Sequence, residues 1–345
     1  MSRLTVLPGL RAAGYARHTL HADDRLWVEK NCYVDAVIEL VHALGLEPLA
    51  AMGFCAAVDF EGDNFTFFKP GHDELRALFG VDIQELNVWR PLVEHAEEHL
   101  GAGKFIATDA DSFWLPDTVA TDYRHNHVKT MIVLADVDVD AKRLGYFHNA
   151  GYHELEGEDF DRLFRLSAAP DPTTLPLYAE LVRVDRLVRR PRAELARMAF
   201  GQLAAHVGRR PMNNPIERWG ARFAQELPRM QAIGLAHYHA WAFATTRQLG
   251  AAMELLAAHL RWLAESGVAP GLELPAGDFL RLSEGAKTFI LKAARAVNSK
   301  KPLDARLQFA DMAGAWDAGM AALVPCFPAV AGGAAELAAP SHARA

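Results

Sequence analysis

Residues 27–46 read WVEKNCYVDAVIELVHALGL, and the interpretation of the whole chain turns on this stretch. Val34, Val37, Ile38, Val41 and Leu44 recur at i, i+3, i+4, i+7 and i+10, which predicts an amphipathic helix with one continuous apolar stripe. Asn31 is a good N-cap and Gly45 a good C-terminal stop, so the helix is expected to start at Cys32. A thiol there meets the positive end of the helix macrodipole and unpaired backbone N–H groups. Both favour the thiolate, the nucleophilic form of cysteine. Cys32 is therefore the candidate nucleophile, and the plain alternative is a small apolar side chain packed in a core.

Outward from this helix, the bulk composition removes several classes. With 36 basic against 43 acidic residues the net charge is −7, so there is no global basic footprint for nucleic acid. No apolar run is long enough to span a bilayer, and MSRLTVLPGL lacks the apolar core of a secretory signal. Cys32, Cys55 and Cys326 form no CxxC pair, which argues against a zinc ribbon or disulfide scaffold and for a reducing cytoplasm.

Along the chain, residues 1–25 suggest an arm with one strand. The run from Pro48 to Phe60 has strand-like bounds and leads into a turn at Glu61–Asn64. Helices are expected over 73–80 and 89–101, then strands from Lys104, Val128 and Arg143, with an acidic turn over 136–140. From about Glu158 strand signals fade and Ala/Leu/Arg-rich helical windows take over, clearest over 238–263. The expectation is α+β: a catalytic domain over 1–158, an appended C-terminal helical domain over 159–330, and a disordered tail over 331–345.

A cysteine nucleophile needs a base, and the base needs an orienting group. His127 begins the strand VKTMIVLA, and His125 two residues earlier is the alternative. Asn149 at the end of the next strand is the better candidate orienter. Asp136 lies about 9 residues × 3.3 Å from His127, roughly 30 Å, which is out of reach. Asp59, Glu61, Asp63, Asp109 and Asp111 lack the spacing of a calcium loop, so no metal is expected. With Trp27 they suggest instead a pocket for a positively charged substrate group. Arg183, Arg186, Arg189 and Arg190, continued by Arg192 and Arg197, form a basic cluster that is either a solvated helix face or a docking patch for an acidic partner.

The motifs NCYVD, LGLEP, DFEGDNFTFFKP, DADSFWLPDT, HVKT and LGYFHNAGYHEL resemble a bacterial family, domain of unknown function 1839. That family is similar to the N-terminal domain of the butirosin-type acyltransferase, and both resemble papain-like cysteine peptidases. The resemblance implies a papain-like fold, with the cysteine on a helix and histidine and asparagine on an antiparallel sheet. The implied roles are Cys32 nucleophile, His127 base and Asn149 orienter. The glutamine that papain-like peptidases place before the cysteine is missing; the side-chain amide of Asn31 and the Cys32 N–H are the candidates to substitute for it at the oxyanion. The implied activity is transfer of an acyl or aminoacyl group from the phosphopantetheine thioester of a carrier protein, with no bound cofactor. The acceptor is a small molecule or peptide. A peptidase or amidase on the same residues, or a non-catalytic binding module, are the competing expectations.

Overall fold

The computed structural model describes residues 3–166 and 175–328, so the tail expected at 331–345 lies outside the described residues. In chain order the first part contains β1 (Leu4–Thr5), α1 (Cys32–Ala43), α2 (His72–Phe79), β2 (Asp82–Glu85), α3 (Leu92–Gly101) and β3 (Phe105–Asp111). There follow β4 (Lys129–Asp138), β5 (Arg143–His148), β6 (Gly151–Glu156), α4 (Glu158–Leu163) and β7 (Ala179–Arg183). The remainder is helical: α5 (Arg192–Gly208), α6 (Pro215–Ile233), α7 (Leu235–Ala242), α8 (Gln248–Glu265), α9 (Glu273–Ser299) and α10 (Arg306–Leu323). A π-helical turn, Phe243–Arg247, joins α7 to α8 inside the helical window read from the sequence. The architecture is mixed α+β, with an antiparallel sheet followed by a helical C-terminal region.

The sheet runs β2-β7-β3-β4-β5-β6, with β1 added against β4, and every pairing is antiparallel. One face carries Ile106, Ile132, Leu134, Leu144 and Tyr146, and it is covered by Leu92, Val93 and Ala96 of α3 and Phe160 and Leu163 of α4. On the other face Phe147 meets the ring of Tyr15, whose hydroxyl donates to Glu39 of α1 at 2.7 Å. Helix α1 thus lies on the side opposite α3 and α4.

Helix α1 starts and stops where its sequence says. Asn31 Oδ1 accepts from the Val34 N–H at 2.9 Å, and Gly45 takes a left-handed φ of 70°. Its polar side is nevertheless dry: every residue from Tyr33 to Val41 is buried, Asp35 and Glu39 included. The segment before the helix accounts for this, because buried His21 reaches both carboxylates and buried Lys30 bonds the carbonyls of Leu20 and Val28. Full burial of a side chain such as Val34 or Ile38 contributes about 1.5–3 kcal/mol, so this helix anchors the layer.

Three sequence expectations change. Residues Pro48–Ala57 form 3-10 turns, not a strand, since Ala, Gly and Met in PLAAMGFCAA have little preference for a pleated surface. The acidic run 136–140 opens inside β4, which continues to Asp138 past an irregularity between Leu134 and Asp136. Strand β7, unread in the sequence, enters the sheet between β2 and β3.

Two compact units result: Met1–Pro48 with Gly71–Arg189, and Leu49–Pro70 with Arg190–Ala345. The expected boundary at 158/159 therefore differs at both ends. Strand β7 keeps the sheet unit going to Arg189, and residues 49–70 join the helical unit. There the Phe65 N–H bonds Ala244 O at 3.0 Å, and His259 Nδ1 bonds Leu49 O at 2.7 Å.

Candidate active site

Strand β4 begins and β5 ends at the same edge of the sheet, and strand alternation puts Thr130 and His148 on one face with Ile132 and Tyr146. Thr130 Oγ1 stands 2.8 Å from His148 Nε2. His148 Nδ1 stands 2.6 Å from Asp117 Oδ2, and the Tyr146 hydroxyl donates to Asp117 Oδ1 at 2.5 Å. Asp117 arrives on a 3-10 turn, Pro116–Thr118, in the connection from β3 to β4. The Thr118 hydroxyl pins that turn to the carbonyls of Ser112 and Leu115. An Nδ1 facing a carboxylate carries the proton, so Nε2 of a neutral ring accepts from the Thr130 hydroxyl.

The dyad is dry, with side-chain exposures of 1% for His148 and 5% for Asp117. Burial pushes the Asp117 carboxyl up, but the bond from His148, the nearby His148 and His153 rings and the Tyr146 hydroxyl outweigh it and hold the carboxyl below its ordinary value. His153 donates to His148 O at 3.2 Å, and burial pushes its own ring below the usual histidine value.

The Thr130 hydroxyl and the Met131 N–H face the Cys32 thiol and favour its thiolate. Burial is the larger influence, however, and the thiol is raised. This corrects the expectation of a resting thiolate: the same packing that makes α1 secure partly withdraws the sulfur from water, and the helix terminus does not compensate. Cys55 is wholly buried and pushed well up; Cys326 is raised by burial too.

The expected triad is not assembled. His127 precedes β4, is two-thirds exposed, stacks on Phe113 at 4.3 Å and bonds Asp111 at 2.6 Å. His125 is exposed in the turn before it, its N–H bonded to Asp122 O. Asn149 is the first residue of the two-residue β5–β6 turn, at φ 45°, a left-handed conformation asparagine tolerates. It serves the hairpin, and among the described residues its side chain makes no hydrogen bond to a histidine. Asp136 is buried against Arg3.

The residues expected to line an acidic pocket are divided between the two compact units. Asp59 holds Arg218 and caps its own turn, and Glu61 and Asp63 are exposed beside it in the helical unit. In the sheet unit, Asp109 pairs with Lys129 at 3.1 Å and Asp111 with His127, while Trp27 is buried. Nor do the arginines form one helix face. Arg183 pairs with Asp82, Arg189 bonds Leu44 O, and Arg190 and Arg192 pair with Glu194 and Glu265; the Arg186 side chain is 90% exposed. The chain also changes compact unit between Arg189 and Arg190.

Asp117, Thr130 and His148 were missed, although each lies inside a motif already singled out: DADSFWLPDT, HVKT and LGYFHNAGYHEL. Strand parity was the available signal, since it pairs His148 with the buried Tyr146 and leaves His127 outside the strand.

The DUF1839 N-terminal domain matches residues 16–184 and the DUF1839 C-terminal domain matches residues 192–325. The chain belongs to the DUF1839 family. Its N-terminal family domain contains Cys32, Asp117, Thr130 and His148 and ends just beyond β7, as the sheet unit does. No curated protein matches the chain. Among the described residues no group of three or more His, Cys, Asp or Glu side chains is disposed to hold a metal, and no helix is long and apolar enough to cross a membrane.

Proposed function

We propose that this DUF1839 protein is a cysteine-dependent acyltransferase in which Cys32 is the nucleophile and Thr130, His148 and Asp117 act together as its base. The observation that carries this reading is the line of polar groups from the thiol through the Thr130 hydroxyl to His148, Asp117 and Tyr146. Such a line moves a proton without an exposed base. The thiol proton passes to Thr130 Oγ1 as the hydroxyl proton passes to His148 Nε2, and Asp117 stabilises the imidazolium that forms. The sulfur attacks the acyl carbonyl, and the tetrahedral oxyanion faces the Cys32 N–H and the Asn31 amide. Collapse expels the donor's thiolate, which takes the proton back along the line and leaves the acyl group on Cys32. An amine then attacks the acyl-enzyme thioester, the C–S bond breaks as the amide forms, and the expelled Cys32 thiolate takes up the proton the amine loses; if water attacks instead, the outcome is hydrolysis.

The donor in this reading is a thioester on a carrier-protein phosphopantetheine, an expectation that comes from the resemblance to the butirosin-type enzyme. A thioester suits a thiol whose resting state is protonated, because the donor is already activated. The same raised thiol favours a second reading, a non-catalytic papain-like module with Cys32 as part of its packing.

Intact-mass measurement after incubation with an acyl N-acetylcysteamine thioester separates the two. The acyltransferase reading expects one acyl addition, mapped to Cys32 and absent in Cys32→Ala. Wild-type protein that stays unacylated while iodoacetamide still alkylates Cys32 would leave only the binding module.

A further inference from the structure

The helical unit holds a second feature, independent of the cysteine. A cavity of about 890 Å³ opens between α6, α10 and the 302–305 loop, within the roughly 300–1,000 Å³ usual for small-molecule sites. Its floor is aromatic. Phe223 and Phe309 lie with ring centroids 5.7 Å apart, and buried Trp219 backs Phe309 at 4.7 Å. Gly220 makes this floor possible, because a Cβ there would come within 2.9 Å of the Phe309 ring.

The rim is acidic. Glu217, Asp304 and Asp317 line it with a single guanidinium, Arg306, and Arg306 is spent on Asp304 in a two-pronged pair at 2.6 and 3.0 Å. Among the described residues Asp317 receives one side-chain donor, the neutral amide Asn214 Nδ2, at 3.0 Å. The Glu217 side chain has no hydrogen-bond or ion-pair partner among the described residues. Two carboxylates without an ion-pair partner among the described residues thus line the same cavity as two aromatic rings. Ring quadrupoles and carboxylates attract the same thing, a positive charge carried on an apolar body, and both repel phosphates and acidic proteins.

We propose that this cavity binds a small organic cation, an ammonium whose apolar part rests on Phe223 and Phe309 while its charge is met by Glu217 and Asp317. The size of the cavity fits a small molecule.

Calorimetric titration of the full chain with three indoles of one shape tests it: tryptamine, the neutral tryptophol and the anionic indole-3-propionate. Tryptamine binds once per chain, tryptophol at least about tenfold more weakly, and the propionate not at all up to roughly 10 mM, where ligands of this size fade. The double variant Glu217→Gln, Asp317→Asn loses about tenfold for tryptamine and leaves tryptophol unchanged. Gly314 lines the cavity on α10, and a Cβ there meets nothing within 4 Å, so Gly314→Leu fills open space and abolishes tryptamine binding without lowering the thermal midpoint. Cys32→Ala binds tryptamine as the native protein does, whatever the outcome at the thiol. Equal binding of tryptamine and tryptophol, indifference to the double variant, or no tryptamine binding by roughly 10 mM overturns the proposal.

Discussion

Cys32 and Thr130 are a pair whose chemistry depends on one hydroxyl. Thr130→Val keeps the shape and removes the hydroxyl that stands between the thiol and His148 Nε2. If that link is the base, acyl transfer to Cys32 falls by about 10²-fold or more in Thr130→Val, and Thr130→Ser restores most of it. A purely structural hydroxyl would change the thermal midpoint and leave the rate alone. Because burial raises the thiol, alkylation of Cys32 by iodoacetamide rises with pH to a midpoint above the ordinary thiol value of about 8.5. A midpoint below pH 7 would restore the resting thiolate that helix position alone suggested.

Helix α1 is the element on which the sheet unit depends, and its inner polar contacts titrate. His21 faces Glu39 through Nδ1 and Asp35 through Nε2, so both ring nitrogens donate and the ring is an imidazolium. Burial opposes that charge, but the bonds to Asp35 and Glu39 outweigh it and raise His21 above 6.5. Burial likewise opposes the Glu39 carboxylate, yet the His21 bond and charge lower it below 4.5. A raised histidine adds stability in full below the unfolded value of about 6.5 and loses it as pH climbs through the folded value. The lowered Glu39 adds stability above about 4.5 and loses it as pH falls through its folded value. This network is therefore worth most between roughly pH 4.5 and 6.5. Thermal melts across pH should show the high-pH decline in native protein and lose it in His21→Ala. That variant removes the imidazolium that faces both buried carboxylates, and should be less stable by about 3–5 kcal/mol near pH 6. A native decline that persists unchanged in His21→Ala would assign it to another group.

At the scale of the whole chain, sequence order and compact unit do not coincide. A fragment cut at residue 158 lacks β7, which pairs β2 on one side and β3 on the other, so it leaves the edge of β3 unpaired. A fragment starting at 190 lacks residues 49–70, with Phe65 edge-on to Trp219 at 5.6 Å and Asp59 held by Arg218. Neither fragment should melt cooperatively, whereas the full chain should. A cooperative transition for 190–345 alone, followed by circular dichroism, would show that residues 49–70 are dispensable to that unit.

The local signals were sufficient for α1. The i, i+3, i+4 stripe, the Asn31 cap and the Gly45 stop are interactions within a few residues, and they hold wherever the helix packs. Strands β4 and β5 were legible for the same reason, as continuous apolar runs between turns. Strand β7 was not, because AELVR finds its partners about 70 and 100 residues away and carries little preference of its own. The site divides along the same line. Cys32 follows from helix geometry, but its protonation does not: burial is a property of everything packed around it and outweighs the helix terminus. In the proposed mechanism His148 takes the place expected for His127, since Asp117, brought in by a distant 3-10 turn, reaches the buried ring, while Asp111 and Phe113 hold the exposed one. Those side-chain meetings join residues far apart in the chain, so only tertiary packing decides them.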